Sequence, residues 1–408
     1  MALKIAIVAH GFIPQYRVPL YELLNQRSNV SYVVFHGGVP SDLGTRAAAG
    51  PFKFPTQPVT LHEIQLGKWV IIYQPVVKAI LFGGYDAVVV GHEIRFISNV
   101  ILALLCKLRG IAVLYWGFGY HYDIERGSDV PERRKGFREA AVGAFKRALT
   151  RLSDGYLAYT RPGAERLAAA GYPSERIYVL QNTIDVTEQI ALHRALEAVD
   201  PAAIRSAYGL RPDSVVLVFV GRLIAMKRVD LLIEAVRKIN GASRQFVETI
   251  IVGAGPAEYD LKTLASDVPG VRFVGELPPG EEIARYLKVA SALVIPGNVG
   301  LAAVHAFAHG RPVITRKHHM HGPEVNYITH GVNGLIVEGG PDDFAEALTR
   351  FVESRGCQKQ LADAALVARD EFRIERMADR FDRAVRETIG RGRSVQIALR
   401  SRPQSWER

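Results

Sequence analysis

Cysteine is almost absent: Cys106 and Cys357 are the only two in 408 residues. They stand far apart in apolar or helical contexts, so no disulfide framework is implied and a reducing cytoplasm suits the chain. Long apolar runs are missing too. No stretch reaches the roughly 18 uninterrupted apolar residues of a membrane-spanning helix. Ile97 to Leu108 comes nearest and reads as a buried helix. The first apolar run, Leu3 to Val8, is short and carries Lys4, so it reads as a first strand rather than a signal peptide. Internal low-complexity tracts are absent, and so is any Asp-x-Asp pair of the kind that bridges a diphosphate through a metal. Acidic residues are the scarcer charge: 51 Lys and Arg against 41 Asp and Glu leave a net charge of +10. That excess suits an anionic partner such as a nucleotide or an acidic lipid. Nucleic acid is disfavoured, because basic and aromatic residues are not interleaved on one surface motif.

What is present is a rhythm. In the first half, strand-like runs at Lys4–Ala9, Ser31–Phe35, Ala87–Val90, Ala112–Tyr115, Gly155–Tyr159 and Ile177–Leu180 alternate with helical stretches. Those stretches are Val18–Asn25, Trp69–Leu81, Arg95–Leu108, Arg134–Leu152 and Gly163–Ala170. After a polar, helical connector from Thr183 to Tyr208 a second series starts, with strands at Val215–Val220, Thr249–Val252, Val271–Val274, Ala292–Ile295, Val313–Thr315 and Gly334–Val337. Such βαβ alternation predicts α/β architecture with two doubly wound, Rossmann-like domains. The expected division is 1–182 and 183–369, with a helix at about 370–389 packing back on the first domain and a basic, mobile tail at 390–408.

In open parallel sheets, ligands bind beyond the carboxyl ends of the strands, and several strands here end in glycine. Val215–Val220 is followed by Gly221 and Arg222, with Lys227 five positions on. A guanidinium forks onto phosphate oxygens and an ammonium adds a point charge. Gly11 closes the first strand, Gly253-Ala254-Gly255-Pro256 closes another, and Asn298-Val299-Gly300-Leu301 runs into a helix start. As a dinucleotide fingerprint the Gly253 turn is weak, since a third glycine is missing. His318-His319-Met320-His321 invites a zinc reading, but no cysteine or acidic ligand joins it within the turn. It reads better as a polar cleft loop before Gly322-Pro323-Glu324 that can take part in donor binding. The aromatic run Tyr115-Trp116-Gly117-Phe118-Gly119-Tyr120-His121 and the pair His92-Glu93 stand at strand ends, either as acceptor contacts or as structure. Arg133, Arg134, Lys135, Arg138, Lys146, Arg147 and Arg151 line an amphipathic helix that suits acidic lipid or, equally, water.

Taken in order, five segments resemble one family. They are Gly221-Arg-Leu-x-x-x-Lys227, Val252-Gly-x-Gly-Pro256, Val271-Arg-Phe-Val-Gly-Glu-Leu277, Gly300-Leu301 through His305 to Ile314, and His321-Gly-Pro-Glu324 through Leu335. Together they look like the retaining, GT-B fold, nucleotide-sugar glycosyltransferases, of the phosphatidylinositol mannosyltransferase and bacterial polysaccharide sugar-transferase type. The resemblance implies GT-B architecture and transfer of a hexosyl-type sugar, with retention, from a UDP- or GDP-sugar to a glycan or polyprenyl-linked acceptor. It implies no metal or other cofactor, and a cytoplasmic location with peripheral association at the inner face of the membrane. It assigns catalysis to Arg222, Lys227 and His121. Donor binding falls to Gly11, Gly221, Gly253, Gly275, Leu277, Asn298, Val299, Gly300, Leu301, His305 and Glu324. One departure is large: the family places glutamates where this chain has Gly297 and His305. The alternatives are a GT-B epimerase or hydrolase, and a non-catalytic nucleotide-sugar-binding relative.

Overall fold

The structure, a computed structural model, describes residues 2–40, 47–67, 69–119, 137–278, 280–318 and 321–400. The described residues up to Ile184, with the segment from Ile374, form one compact unit; Asp185–Arg373 forms the other.

The first unit is built on β1 (Leu3–Val8), β2 (Val30–His36), β3 (Thr56–Pro58), a hairpin of β4 (His62–Leu66) and β5 (Trp69–Tyr73), then β6 (Ala87–Gly91), β7 (Ala112–Gly117), β8 (Gly155–Ala158) and β9 (Ile177–Val179). Its helices are α1 (Val18–Asn25), α2 (Val77–Phe82), α3 (Ile97–Leu108), α4 (Phe137–Leu152) and α5 (Arg161–Ala169). Seven strands pair in the order β3-β2-β1-β6-β7-β8-β9, all in parallel. Side chains alternate across a strand, so β1 feeds two cores. Ile5 and Ile7 join α1 on one face, while Ala6 and Val8 join Ile80, Leu102, Ala103 and Cys106 of α2 and α3 on the other.

The second unit carries α6 (Thr187–Ala195) and α7 (Pro201–Ala207), then β10 (Val215–Val220), α8 (Val229–Ala242), β11 (Val247–Val252), α9 (Glu258–Leu264), β12 (Val271–Gly275), α10 (Glu281–Val289), β13 (Ala292–Val294), α11 (Ala302–Ala308), β14 (Val313–Arg316), β15 (Gly334–Val337), α12 (Pro341–Glu353) and α13 (Arg355–Ala368). Its six parallel strands run β12-β11-β10-β13-β14-β15. Strand β10 is central and buried, because Val216, Leu217, Val218 and Phe219 meet apolar layers on both sides.

The last helix, α14 (Ile374–Arg400), lies on the first unit's sheet, where Met377, Ala378, Phe381, Ala384 and Val385 complete the core around Ile5, Ile7 and Leu20. It runs past the expected end at residue 389: Gly390 and Gly392 are accommodated inside the helix, so the basic stretch is helical to Arg400, and 401–408 lie outside the described residues. Two other expectations change. The helix expected at Trp69–Leu81 is a strand followed by a short helix, since β-branched Val70, Ile71 and Ile72 pair against β4 and Pro75 resets the chain. Helix α3 is not fully buried; Ser98, Asn99, Leu102, Ala103 and Cys106 face inward, and the opposite stripe does not.

Candidate functional site

At the carboxyl edge of the second sheet, backbone holds backbone. The Gly221 N–H donates to Val252 O at 3.0 Å, Leu223 N–H to Ala254 O at 2.9 Å, and Gly253 N–H to Gly275 O at 2.7 Å. The ladder therefore continues past the strand ends as loops. Gly253 makes this possible: a Cβ there would stand 1.9 Å from the Gly221 oxygen. Arg222 is exposed on this edge, and Leu277 follows β12 half-buried.

The turn Ala225–Lys227 is clasped to the loop after β13. Gly297 N–H donates to Lys227 O at 3.0 Å, Asn298 N–H to Met226 O at 2.9 Å, and Lys227 Nζ to Asn298 O at 2.5 Å. Gly297 sits so close that a Cβ would meet Met226 O at 2.0 Å and the Lys227 carbonyl carbon at 2.6 Å. Both obstacles are main chain, so the carboxylate that the resemblance expects here is excluded by the loop itself. Burial pushes the Lys227 ammonium down to about 8, and the nearby Glu324 carboxylate works against that shift. Glu324 is buried on the turn Pro323–Tyr327, its Oε2 2.7 Å from where a Gly322 Cβ would lie; a Cβ at Gly322 would also come within 3.3 Å of Gly300. Lys227, Asn298, Gly300 and Glu324 thus form one cluster.

His321, which the sequence placed in a polar cleft loop with a possible donor-binding role, completes it. Its Nε2 stands 2.6 Å from Arg316 O, and its Nδ1 faces the Val299 N–H at 3.4 Å. The carbonyl needs a donor and the amide an acceptor, which assigns the neutral Nε2–H tautomer. Burial lowers the imidazole to about 4, the Arg316 carbonyl opposes this, and His318 and Lys227 add to it. Val299 is fully buried, and its amide is turned to His321. His305 occupies α11, one turn before the buried His309; burial lowers both, His309 to about 3. A cavity of about 1040 Å³ lies along β15 and α12, and His321 of the cluster lines it.

In the first unit, Gly11 adopts φ +84° against Gly38 O. His121 lies outside the described residues. His92 is structural: Thr150 Oγ1 already donates to Lys146 O, so His92 Nε2–H donates to Thr150 at 2.9 Å, and Nδ1 accepts from Tyr156 OH at 3.0 Å. Tyr115 and Trp116 are core, while Phe118 is exposed and meets Tyr159 edge-on. Sequence reasoning missed His10. Its ring fills the space above Gly91, with Nε2 1.1 Å from where a Cβ would be, and Nδ1 lies 3.6 Å from Glu93 Oε1. Glu93 Oε2 also accepts from Arg95 Nε at 2.8 Å. Arg17 is buried with its guanidinium 4.7 Å from the Trp116 ring and 5.0 Å from Tyr16, and it donates to Asn182 Oδ1.

Residues 214–354 match the family model described as glycosyl transferases group 1. The D-inositol 3-phosphate glycosyltransferase of Kribbella flavida is 34% identical over 185 residues, 41% of this chain and 42% of that protein. D-inositol 3-phosphate glycosyltransferase 1 of Catenulispora acidiphila is 27% identical over 328 residues, 76% of this chain and 75% of that one. The chain therefore spans about two fifths of the length of the first relative and three quarters of the second. Among solved structures, Anabaena Alr3699/HepE in complex with UDP superposes with a TM-score of 0.64 at 17% identity, covering 94% of this chain and all of that one.

Part of the second unit thus matches a glycosyl transferases group 1 model, and the chain shares the GT-B fold of its structural neighbours. The match lies within the second unit and takes in the Gly221–Lys227 turn, the Gly297–Leu301 loop, His321 and Glu324. Among the described residues, no three His, Cys, Asp or Glu side chains converge as metal ligands, and no helix is long and apolar enough to cross a membrane.

Proposed function

We propose that the protein transfers a hexosyl-type sugar from a nucleoside diphosphate sugar to a glycan or lipid-linked acceptor, retaining anomeric configuration, in bacterial cell-surface polysaccharide or glycoconjugate synthesis. The observation that carries this reading is Lys227: a partly desolvated ammonium, fixed by Asn298 O and backed by Glu324, at the carboxyl end of the central strand. Cleaving the bond between the anomeric carbon and the β-phosphate oxygen leaves negative charge on the departing diphosphate. Arg222 and Lys227 stabilise that charge more as it grows than in the ground state, which is what accelerates the step. The departing oxygen takes the acceptor hydroxyl's proton as the new glycosidic bond forms on the same face. A carboxylate at position 297 is then unnecessary, and the sugar is held by groups other than an acidic side chain there. Asn298, one residue on, supplies the nearest side chain. UDP and GDP both fit this chemistry, and no metal takes part.

The test is nucleotide release from a panel of UDP-, GDP- and dTDP-sugars, with and without a lipid-linked acceptor. One donor should release nucleotide in an acceptor-dependent way, and nuclear magnetic resonance of the product should show the donor's anomeric configuration. No nucleotide binding and no release from any donor would overturn the reading. Acceptor-independent interconversion of the free sugar nucleotide would replace it with an epimerase.

A further inference from the structure

At the carboxyl edge of the first sheet two aromatic rings stand in water instead of in the core. Tyr16 is 45% exposed and Phe118 36%, while Trp116 is buried. Both exposed rings are held in place. Phe118 follows β7 on a turn clamped to the start of α5: a Cβ at Gly119 (φ +87°) would stand 2.6 Å from Gly163 O, and a Cβ at Gly163 would stand 2.6 Å from Phe118 O. The Gly119 N–H also donates to Tyr156 OH at 3.1 Å. The Phe118 ring meets half-buried Tyr159, which follows β8, edge-on at 4.7 Å. Tyr16 lies on the Gln15–Arg17 turn after Pro14, closed by the Arg17 N–H on Pro14 O at 2.9 Å. Buried Arg17 ties the group together. Its guanidinium lies 5.0 Å from the Tyr16 ring and 5.7 Å from the Tyr159 ring, and it bonds the Tyr159 hydroxyl. Main chain and a buried cation thus fix a wall of Tyr16, Phe118 and Tyr159.

What such a wall binds follows from its neighbours. Aromatic faces carry negative charge density, so they attract cations and the weakly positive edges of C–H groups. A cation is disfavoured, because Arg17 already lies against Tyr16 and Tyr159. Phosphate is disfavoured too: Arg17 is buried, and the Arg95 guanidinium bonds Glu93 at 2.8 Å. A prenyl chain matches a continuous apolar groove, yet this edge also carries His10 after β1 and Glu93 after β6, both part-exposed, with Nδ1 3.6 Å from the carboxylate. Arg17 is close enough to act electrostatically on His10, which places the polar pair beside the wall. A pyranose ring suits both parts: its C–H face lies on the aromatic rings, and its hydroxyls meet the Glu93 carboxylate and the Tyr16 hydroxyl. Rings fixed before binding lose little conformational entropy on it, so modest stacking contacts contribute nearly in full.

We propose that Tyr16, Phe118 and Glu93 form a saccharide subsite that takes an uncharged pyranose ring of the acceptor. Naming that ring as part of the acceptor rests on the sugar-transfer reading; the binding itself does not, and its test uses no donor. Saturation-transfer nuclear magnetic resonance, irradiating the aromatic protons of the full chain, is run on the methyl glycosides of glucose, galactose, mannose, rhamnose and N-acetylglucosamine. At least one should receive saturation, strongest on the ring protons of one face. Phe118→Ala and Tyr16→Ala should each weaken its binding roughly three- to tenfold. Phe118→Trp keeps an aromatic face and should bind as wild type does, which separates lost stacking from a lost fold. No saturation of any glycoside would overturn the proposal, and so would saturation that survives both alanine substitutions. So would alanine variants that lose affinity for farnesyl phosphate, which carries no sugar, but not for the glycoside. A chain that binds a glycoside yet releases no nucleotide from any donor keeps the subsite and loses the transfer reading. Nucleotide release without glycoside saturation does the reverse.

Discussion

The two sheets are built from the same βαβ units, yet their carboxyl edges are finished in opposite ways. In the second unit the loops are tied by main chain: Gly253 and Gly297 let backbone touch backbone. In the first unit the edge is filled by side chains. His10 occupies the hollow at Gly91, Arg17 stacks among Trp116, Tyr16 and Tyr159, and His92 has both ring nitrogens engaged. The second unit's Lys227 is tied to a loop carbonyl, whereas the first unit's buried Arg17 packs among aromatic rings. Lys227 and Arg17 are therefore the pair on which the comparison breaks or stands.

Replacing Lys227 with Ala should lower kcat/KM about 10²–10³-fold, a loss on the order of 2.7–4 kcal/mol of transition-state stabilisation, by analogy with removing an oxyanion donor. Its effect on the thermal melt is the smaller readout, because relief of a desolvated ammonium is set against the loss of buried Glu324's cation. Arg17→Ala should show the reverse: a stability loss of roughly 1–3 kcal/mol from lost stacking and the orphaned Asn182 amide, with nucleotide affinity unchanged. Equal effects of the two substitutions on nucleotide binding, read by calorimetry, would erase the distinction.

Acid should act next most strongly, through His321. Its folded value of about 4 lies below the ordinary 6.5, so on acidification the unfolded chain takes up the proton first. Its contribution is complete above about pH 6.5, declines as pH falls from 6.5 to 4, and changes no further below. Across that window the loss is on the order of 3 kcal/mol. His309 and His305 shift in the same direction, so the informative quantity is the difference between wild type and His321→Gln, whose amide can still donate to Arg316 O. Parallel denaturant-stability curves for the two proteins between pH 7 and pH 4 would remove His321 from the account.

How much of this was legible beforehand follows the same divide. The second unit's strands, the Gly221–Lys227 turn and the Glu324 loop could be read because each signal is local: an apolar run, a glycine at its end, a cation just beyond. The first unit's edge could not. His10 meets Gly91, and Arg17 meets Trp116, Asn182 and Met377, over separations that leave no periodic trace. The hairpin at β4 and β5 was hidden for a different reason: Val70 to Tyr73 is apolar in both a helical and an extended reading, and only pairing decides. Likewise the sequence marked Gly297 as a missing carboxylate, but the close approach of Met226 that rules one out depends on a turn seventy residues away.

Two glycines can sharpen that point. Gly297→Ala forces a Cβ against main-chain atoms of Met226 and Lys227, whereas Gly91→Ala meets the imidazole of His10, a side chain rather than main chain. The first should cost about 1–3 kcal/mol as overpacking and weaken nucleotide binding with it. The second should cost less and leave nucleotide binding intact. Thermal melts with and without UDP separate them, and equal destabilisation would mean that the Gly297 loop gives way as easily as a side chain does.

The smallest effect concerns the protonation of Lys227 itself. With its value near 8 rather than the usual 10.5, the ammonium begins to lose its proton just above neutrality. A bound diphosphate favours the charged form, so nucleotide binding takes up a proton once the free protein has lost it. The dissociation constant for UDP should be flat below about pH 8, then rise by up to about tenfold per pH unit until the value in the complex is reached. Calorimetry in buffers of differing ionisation enthalpy should detect that uptake at pH 9 and none at pH 7. Lys227→Arg should flatten the profile, since a guanidinium keeps its charge throughout. A UDP affinity that falls equally for wild type and Lys227→Arg would place the titrating group elsewhere and leave Arg222 as the principal cation of the second sheet's edge.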